Sequence, residues 1–499
     1  MKRILLAAAL FSFQFVFAQS AIQPLPASLT KYSSDWLVKP SEIRSAVYLS
    51  ADKKDIVLYN GLVKRVFRVS PNVACTEYSN LITGQQLLRA VKPEAVLKIN
   101  GREYKVGGLY GQKERAYLLN NWVDQMRSNN EDFQYKGYEV SELKDQFKWT
   151  AVGWTSNKRS ATGKVLSFTY QLVSLPELIV KVYYEIYDGL PLIVKYLTID
   201  NKSSSSYKID LVKNEVLAMV EEESAVVGSP AQMKTPQGIY IETNYAFNNA
   251  MRYQISDQTT HWLVDSSYTS QVNYYYQTPC VLEVYPDKAP GIELKSGEKF
   301  QSVRTYELLM DSYDRERRGL FVRKMYSKVA PWTSSNPIFM HLVSRNDDEV
   351  IRAIDQCDST GYEAVILSFG SHLDMEDQSD KNLSRWKKLA DYAHNKGILI
   401  GGYSLFSSRR ISVEDDVINP VTGKTGGAFL ATRHVLEASG DWRTGIRSRI
   451  SLHIQDLIYG RMMVLTRVIF AHPQHILVIR ELTIHNGGRW RCRRNFTGG

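Results

Sequence analysis

Lysine is absent from the last part of this chain. Residues 426–499 contain 11 arginines and no lysine, whereas the chain up to Lys424 contains 31 lysines and 20 arginines. Histidine becomes more frequent in the same segment, which holds five of the nine histidines, the first of them His434. So abrupt a change predicts that two unrelated stretches of sequence meet near residue 429.

Cysteine and the common motifs of cofactor sites are scarce. The four cysteines, Cys75, Cys280, Cys357 and Cys492, lie far apart, and this spacing excludes the paired pattern of a zinc or thioredoxin-like site. We predict that they are isolated buried thiols. The chain has no Gly-rich phosphate loop and no serine nucleophile elbow, which are the signatures of nucleotide-binding and serine hydrolase sites. No cofactor and no metal are therefore expected.

Long apolar runs are missing except at the N-terminus. Residues 1–18, MKRILLAAALFSFQFVFA, combine a basic start, an apolar run from Ile4 to Phe17 and a small residue at Ala18, which is the pattern of a secretory signal. No later run approaches the ~20 apolar residues of a membrane-spanning helix. We expect cleavage after Ala18 and a periplasmic or extracellular protein without a membrane span.

The positive charge of the chain is concentrated at its two ends. Of the formal net charge of +10, residues 426–499 supply +7, because 11 arginines there face four acidic residues. Lys2 and Arg3 belong to the predicted signal peptide, so the rest of the chain is near +1. A body this balanced has no broad positive surface for phosphate. The composition therefore predicts no nucleic-acid partner for the body of the protein.

Short alternating strands fill the chain from about residue 20 to residue 330. In LIVKVYYEIYDGLPLIVKYLTIDN, apolar and polar residues alternate from Val180 to Ile186, and Asp188-Gly189 follows as a turn. This pattern predicts an antiparallel hairpin, and the many similar segments predict a β-sandwich over residues 19–330. The numerous tyrosines suit half-exposed strand surfaces. A sugar-binding aromatic groove is the alternative.

The pattern changes at Pro331. The segments PIFMHLVSR, YEAVILSFG and ILIGGYSLF are typical of strands, and two intervening segments are typical of helices that end at Gly361 and Gly397. Strands that alternate with helices over short connections predict parallel βα units. His341, inside the first of these strands, is expected to be a core histidine rather than a metal ligand.

These features together resemble a known family. A signal peptide, a β-sandwich carrying YYEIYDGLPLIVKYLTIDN and βα units opening with NPIFMHLVSR look like the secreted bacterial α-galactosidase-like glycoside hydrolases, which are relatives of the melibiases. The resemblance covers roughly residues 40–428. It implies a β + α/β fold, with an N-terminal β-supersandwich (19–330) followed by the first three βα units of a (β/α)8 barrel (331–428). It also implies hydrolysis of terminal α-linked galactose or a related sugar by a retaining mechanism with two aspartates.

The segment from residue 429 does not continue the implied barrel. A complete barrel needs eight βα units and about 250 residues, and three units precede Gly427. We interpret residues 429–499 as an out-of-frame tail that is unstructured or poorly packed. In a shifted frame, Met462-Met463-Val464 forces Asp-Gly, and permitted codons extend this to FDIWEDDG, the pattern of a strand that ends in glycosidase carboxylates. On this interpretation neither catalytic aspartate is present, no catalytic residue is assigned, and the chain is inactive.

Substrate contacts are expected where the three strands end, because the C-terminal ends of barrel strands face the substrate. LSFGSHLDMED supplies His372 and Asp374 after the second strand, and GGYSLFSSRR supplies Tyr403 and Arg409 after the third. The carboxylate of Asp374 is suited to accept hydrogen bonds from sugar hydroxyls. The alternative for Asp374 is a solvated loop carboxylate, and for His372 and Arg409 a structural or surface role.

Two other functions stay open at the level of sequence. A non-catalytic carbohydrate-binding protein would use the β-sandwich, with the α/β part as a support. A nucleic-acid-binding protein would use the tail, through Arg443, Arg447, Arg449 and the cluster from Arg489 to Arg494. The partner that the main interpretation predicts is an oligosaccharide or polysaccharide substrate. The sequence makes no prediction of oligomeric state.

Overall fold

The computed structural model describes residues 22–147, 160–223, 228–245, 259–287, 290–334, 337–368, 370–374, 377 and 379–404, and the backbone of residues 457–463 and 466–471. The predicted signal peptide and most of the segment after residue 404 lie outside these ranges.

Within these ranges the chain forms 26 strands and four α-helices. The strands of the first half are β1 (Gln23–Pro24), β2 (Ala46–Leu49), β3 (Asp55–Tyr59), β4 (Val63–Arg68), β5 (Ala74–Asn80), β6 (Gln85–Gln86), β7 (Leu88–Ala90), β8 (Ala95–Ile99), β9 (Arg102–Val106), β10 (Gln134–Glu142), β11 (Gly163–Leu172), β12 (Leu175–Tyr187) and β13 (Leu192–Asn201). Those of the second half are β14 (Tyr207–Lys213), β15 (Glu215–Met219), β16 (Ile239–Thr243), β17 (Thr260–Leu263), β18 (Val281–Val284), β19 (Pro290–Leu294), β20 (Lys299–Gln301), β21 (Thr305–Leu309), β22 (Phe339–Leu342), β23 (Ala364–Leu367), β24 (Leu399–Ser404), β25 (Leu457–Met463) and β26 (Thr466–Ala471). The helices are α1 (Asn120–Val123), α2 (Arg315–Val329), α3 (Asp347–Thr360) and α4 (Asp380–Asn395).

Strands β1 to β21 form four sheets in the described part of the chain. One sheet follows chain order from β1 to β6, and the largest has the order β10-β11-β12-β13-β21-β16, with β20 also paired to β13. Two four-stranded sheets have the orders β19-β14-β8-β9 and β17-β18-β15-β7. The chain is thus mostly sheet with few helices, as the alternating pattern predicts.

The predicted hairpin is present as β12 and β13. Val180 pairs with Ile199 and Ile186 pairs with Ile193, and Gly189 in the turn has φ +70°, which glycine adopts without steric cost. On the inner face of β12, Tyr184 is fully buried. Its ring centroid lies 4.6 Å from that of a core phenylalanine of β4. Burial of each large apolar side chain of this kind contributes about 1.5–3 kcal/mol to the free energy of unfolding.

Helix α2 is an element that the strand pattern does not predict. The carboxylate of Asp314 accepts a hydrogen bond of 2.7 Å from the backbone N–H of Arg317 and caps the helix. Phe321 and Met325, one turn apart, are buried, and the Phe321 ring meets that of Trp36 edge-on at 4.5 Å. Helix α2 therefore packs against the N-terminal residues and the β-sandwich just before the βα segment begins.

The βα segment follows the predicted order. β22, β23 and β24 are parallel neighbours, and α3 and α4 form the connections between them, as expected of βα units. The side chain of Asn346 caps α3, and Gly361 ends it in the left-handed conformation with φ +81°. Val365 and Leu367 of β23 belong to the apolar cluster that also contains the buried faces of both helices.

The third parallel strand has a neighbour from the C-terminal segment. β25 and β26 form an antiparallel hairpin, and β26 pairs with β24, Gly402 opposite Ile469. An unpaired edge at the third strand follows from the predicted three-unit fragment, and this expectation is wrong, because the backbone of β26 occupies that edge. The sequence predicts an unstructured or poorly packed tail, and the first of these alternatives is wrong for the backbone of these two strands. The remainder of the tail lies outside the described residues.

Three of the four cysteines lie in the described structure, and their state agrees with the sequence prediction. Cys75, Cys280 and Cys357 are buried and free. Burial raises the pKa of the Cys75 thiol to about 12, so this thiol is unreactive at neutral pH. Cys492 lies outside the described residues. None of the described helices has the length and apolar character needed to cross a bilayer.

Candidate functional site

The candidate site is the edge of the parallel sheet at which β22, β23 and β24 end. Ser344 follows β22, and Ser371, His372 and Asp374 follow β23. The Oγ of Ser371 donates a hydrogen bond of 2.9 Å to the carbonyl oxygen of Leu342, the last residue of β22. The loop after the second strand therefore folds back over the end of the first. The loops that follow the two parallel strands thus lie together at this edge, where enzymes with barrels of such strands bind substrate.

His372 is held between the two loops and the first residue of α3. Its Nδ1 lies 2.8 Å from the Oγ of Ser344, and its Nε2 lies 3.1 Å from Oδ1 of Asp347. Its ring centroid is 5.2 Å from that of Trp386 on α4. Both ring nitrogens thus have partners within the protein. This geometry favours the structural role that the sequence left open for His372.

Asp347 is the centre of this network, and it is a residue that motif searching misses. The Nε of Arg385 on α4 donates to both carboxylate oxygens of Asp347, at 2.8 and 2.7 Å. Burial alone would raise the pKa of Asp347, but hydrogen bonds from Arg385 and His372 outweigh it and lower the pKa. Asp347 is therefore a carboxylate that fixes α3, α4 and the His372 loop relative to one another.

Asp374 lies at the exposed rim of the same loop. Its side chain is exposed, and its Oδ1 accepts a hydrogen bond of 3.3 Å from the backbone N–H of Asp377. Asn382 of α4 donates to the backbone carbonyl oxygen of Asp374 at 3.1 Å. The loop backbone is therefore anchored to α4 while the carboxylate faces solvent. This position suits a sugar contact and a solvated loop residue equally well.

The other two predicted substrate contacts are Tyr403 and Arg409. Tyr403 lies in β24 and pairs with Val468, so its backbone is beside the candidate edge, and its side chain lies outside the described part. Arg409 also lies outside the described residues. The predicted roles of Tyr403 and Arg409 stay predictions.

His341 is not a core residue, contrary to the sequence expectation. It is exposed on β22, and its ring centroid lies 5.5 Å from that of Phe339. The error has a physical cause, since a strand in a parallel sheet is buried on both faces only when other elements cover both faces. The apolar cluster of α3 and α4 covers the face of Met340 and Leu342. Among the described residues, no group of three or more His, Cys, Asp and Glu side chains is arranged to hold a metal ion.

A second candidate surface lies in the β-sandwich, on the loop between β17 and β18. Tyr274, Tyr275 and Tyr276 are 42%, 63% and 45% exposed. The side chain of Asn273 is fully buried beneath them and accepts hydrogen bonds of 2.9 and 3.0 Å from the backbone N–H groups of the next two loop residues after the tyrosines. Tyr276 has φ +55°, a strained conformation for a non-glycine residue. The buried side chain of Asn273 thus holds the loop backbone in place while the tyrosines face solvent.

Comparison with sequences returns nothing for this chain. No protein-family model matches it, and no curated protein matches it either.

Comparison with solved structures does return matches. The matched structures include GH36 α-galactosidases. The enzyme AgaB from Geobacillus stearothermophilus matches 81% of this chain at 12% identity, with a TM-score of 0.49. The galactosidase domain of the α-galactosidase-sucrose kinase AgaSK matches 82% at 11% identity and a TM-score of 0.45. The α-galactosidase from Lactobacillus brevis matches 79% at 12% identity and a TM-score of 0.43.

The matches cover only part of each solved structure. This chain covers 64% of AgaB, 65% of the AgaSK domain and 61% of the Lactobacillus brevis enzyme. It therefore spans less than two thirds of the length of each of these structures.

Proposed function

We propose that this chain is a large part of a secreted glycoside hydrolase of α-galactosidase-like type, and that the chain as it stands is inactive. The substrate class is a glycan with terminal α-linked galactose or a related sugar. The protein encoded by the restored reading frame would act by a retaining two-aspartate mechanism without a cofactor, in the periplasm or outside the cell.

The observation that carries this proposal is the convergence of loops at one edge of the parallel sheet behind a large β-sandwich. The loop after β23 crosses the end of β22, where Ser371 reaches the carbonyl oxygen of Leu342. Carboxyl ends of parallel strands are where enzymes of this architecture bind substrate. Asp374, at the exposed rim of this loop, would accept hydrogen bonds from sugar hydroxyls, whereas Asp347 and His372 would hold the loops in place.

The proposed inactivity follows from the chemistry of retaining glycosidases. One carboxylate attacks the anomeric carbon and a second carboxylic acid, about 5–5.5 Å away, protonates the leaving oxygen. We assign Asp347 a structural role rather than that of the nucleophile, because its two oxygens contact Arg385 and His372. No catalytic pair is assigned among the described carboxylates of the βα segment. We infer that both catalytic aspartates belong to barrel strands encoded in the shifted frame and beyond it.

The experiment compares the chain as printed with the product of a gene in which the reading frame near codon 429 is restored and continued to its next stop. Raffinose and stachyose, which are bound in crystal structures of variants of the GH36 α-galactosidase AgaA from Geobacillus stearothermophilus, are the substrates to test. We expect galactose release from the frame-restored protein and none from the printed chain. Efficient galactose release by the printed chain would contradict the proposed inactivity. A restored frame that closes within a few codons would contradict the whole proposal.

A non-catalytic carbohydrate-binding function is the second candidate, and the tyrosine loop favours it. Tyrosine rings offer apolar faces with a polar edge, which suits stacking on sugar rings. The buried Asn273 side chain, fully enclosed, would keep the loop shape fixed before a glycan binds. The test is glycan binding by the full chain and by its Tyr274→Ser/Tyr275→Ser variant, with the exposed Tyr313→Ser as control. Equal binding by all three proteins would exclude this loop as the binding surface.

A further inference from the structure

The centre of the β-sandwich contains a cluster of charged side chains, which we call the buried charge cluster. Its members are at most 2% exposed and come from three different sheets and a loop. They are Arg65 on β4, Glu94 just before β8, Lys195 on β13, Glu215 on β15 and Glu307 on β21. Charged groups this deep in a protein are stable only when they are paired or neutralised.

Glu215 has the most complete set of partners in this cluster. Its Oε2 lies 3.0 Å from Nη2 of Arg65, and its Oε1 lies 2.7 Å from Nζ of Lys195. The backbone N–H of Val216 also donates to Oε1 at 2.9 Å. Two cations and a backbone donor therefore face this one carboxylate, and all of them stabilise its ionised form.

Glu94 is also well supplied with donors. The backbone N–H of Cys75 donates to its Oε1 at 2.6 Å, and the hydroxyl of Tyr184 donates to its Oε2. Nζ of Lys195 lies 3.9 Å from the same oxygen. Both carboxylate oxygens of Glu94 thus have a donor, so this group is accommodated as an anion.

Glu307 has fewer partners than either. Its Oε2 lies 2.9 Å from Nη1 of Arg65, whereas its Oε1 is buried without a hydrogen-bond partner. The guanidinium of Arg65 is shared, because its Nη2 contacts Glu215, and it lies 4.7 Å from the ring centroid of Tyr78 on β5. The single positive charge of Arg65 can balance only one of these two carboxyl groups.

The charges of the cluster balance only if one carboxyl group is neutral. Arg65 and Lys195 supply two positive charges, and three glutamates would supply three negative ones. A fully buried unpaired charge is costly, and a group in that position takes up a proton instead. Glu307 has the fewest donors, so the proton belongs there. Burial and the adjacent Glu215 raise the pKa of Glu307 well above its ordinary value of 4.5, although Arg65 and Lys195 act in the opposite direction.

We propose that Glu307 retains its proton in the folded protein at neutral pH, so that the contact between sheets at the buried charge cluster weakens in alkali. A carboxyl group whose pKa is raised on folding contributes stability that is complete below its unfolded pKa. That contribution is lost as the pH rises through the folded pKa. The window therefore begins near the ordinary glutamate pKa of 4.5 and extends upward from it.

The first experiment measures thermal unfolding of the full chain and of two variants, Glu307→Gln and Glu215→Gln, at pH 5, 7 and 9. Glutamine resembles the protonated acid in shape and hydrogen bonding. We expect Glu307→Gln to leave the Tm nearly unchanged at pH 5 and to raise it at pH 9 by about 2 °C or more. We expect Glu215→Gln to lower the Tm at every pH, because it removes the anion that both Arg65 and Lys195 contact.

The second experiment detects the proton directly and does not depend on the stability of a variant. Infrared spectra of the wild-type protein at pH 7 should contain the carbonyl stretching band of a protonated carboxyl group, and Glu307→Gln should lack it. If Glu215→Gln fails to fold, the spectra of wild type and Glu307→Gln still decide the question. Absence of the band, or a Tm loss in Glu307→Gln equal to that of Glu215→Gln, would overturn the proposal.

Discussion

The β-sandwich and the βα segment bury their sheets to different extents. In the sandwich the sheets cover one another so completely that charged side chains such as Arg65 and Lys195 are enclosed with zero exposure. In the βα segment, α3 and α4 pack in one apolar cluster with the sheet, while Ile338, Phe339 and Val343 along the first strand are 57%, 42% and 60% exposed. Within the described residues, the sandwich encloses charged side chains, whereas the βα segment leaves apolar side chains exposed along its edge strand.

The largest loss of stability is expected from the Arg65→Met substitution in the sandwich. It leaves two buried glutamates without their shared cation, and breaking a buried ion pair typically costs about 3–5 kcal/mol. The measurement is urea-induced unfolding of the full chain followed by circular dichroism. Arg102→Met is the matched control, because Arg102 pairs with Glu131 at the surface, where 61% of its side chain is exposed. A loss in Arg65→Met no larger than in this control would contradict the account.

A loss confined to the βα segment is expected from the Ile354→Ala substitution. Ile354 on α3 is fully buried, and truncation of such a residue costs about 2–5 kcal/mol. Limited proteolysis should then cut between residues 337 and 404 while the sandwich stays intact. The control is Arg352→Ala on the exposed face of the same helix. If Ile354→Ala destabilised both regions equally, the two would be one cooperative unit.

A smaller loss is expected from the His372→Ala substitution. It removes hydrogen-bond partners from the buried Ser344 and from Asp347, which costs about 1–3 kcal/mol. The lowered pKa of Asp347 means that its contribution is present above its ordinary pKa of 3.8 and is lost as the pH falls through the folded value. Acid unfolding of the βα segment should therefore be less steep in His372→Ala. An unchanged acid transition would show that His372 does not stabilise the Asp347 carboxylate.

The smallest effect is expected from the Asp374→Asn substitution. The side chain is exposed, and surface substitutions usually change stability by less than about 0.5 kcal/mol. In the frame-restored protein, the same substitution should raise KM for raffinose if Asp374 contacts the sugar. A large loss of Tm would show that Asp374 is a structural residue instead.

Local elements of this fold are predictable from sequence where local chemistry determines them. Asp188-Gly189 identifies the β12–β13 turn, and Gly361 marks the end of α3, because each position requires a backbone conformation that few residues adopt. Helix α2 is missed because RERRGLFVRKMYSKV has charges around most of its surface and Gly319 in its middle. Its buried stripe is narrow and includes Phe321 and Met325.

The buried charge cluster is beyond prediction from local pattern alone, since its members are up to 242 positions apart in the chain. One signal was available. In VKRVFR, Arg65 alternates on the same face as Val63 and Phe67, both fully buried. A period-two pattern that places arginine among buried apolar residues predicts a buried arginine, although not its partners. The role of Asp347 is hidden for the same reason, because Arg385 joins it only after α3 and α4 pack together.

Hydrogen exchange across the full chain, followed by mass spectrometry, tests the contrast between the two regions most directly. We predict strong protection in β11, β12 and β13, weaker protection in β22 at the exposed edge, and little protection in the part of residues 440–490 outside β25 and β26. Protection of β22 and of this part of the tail equal to that of β12 would contradict the account. It would mean that the C-terminal segment completes the α/β part as a packed domain.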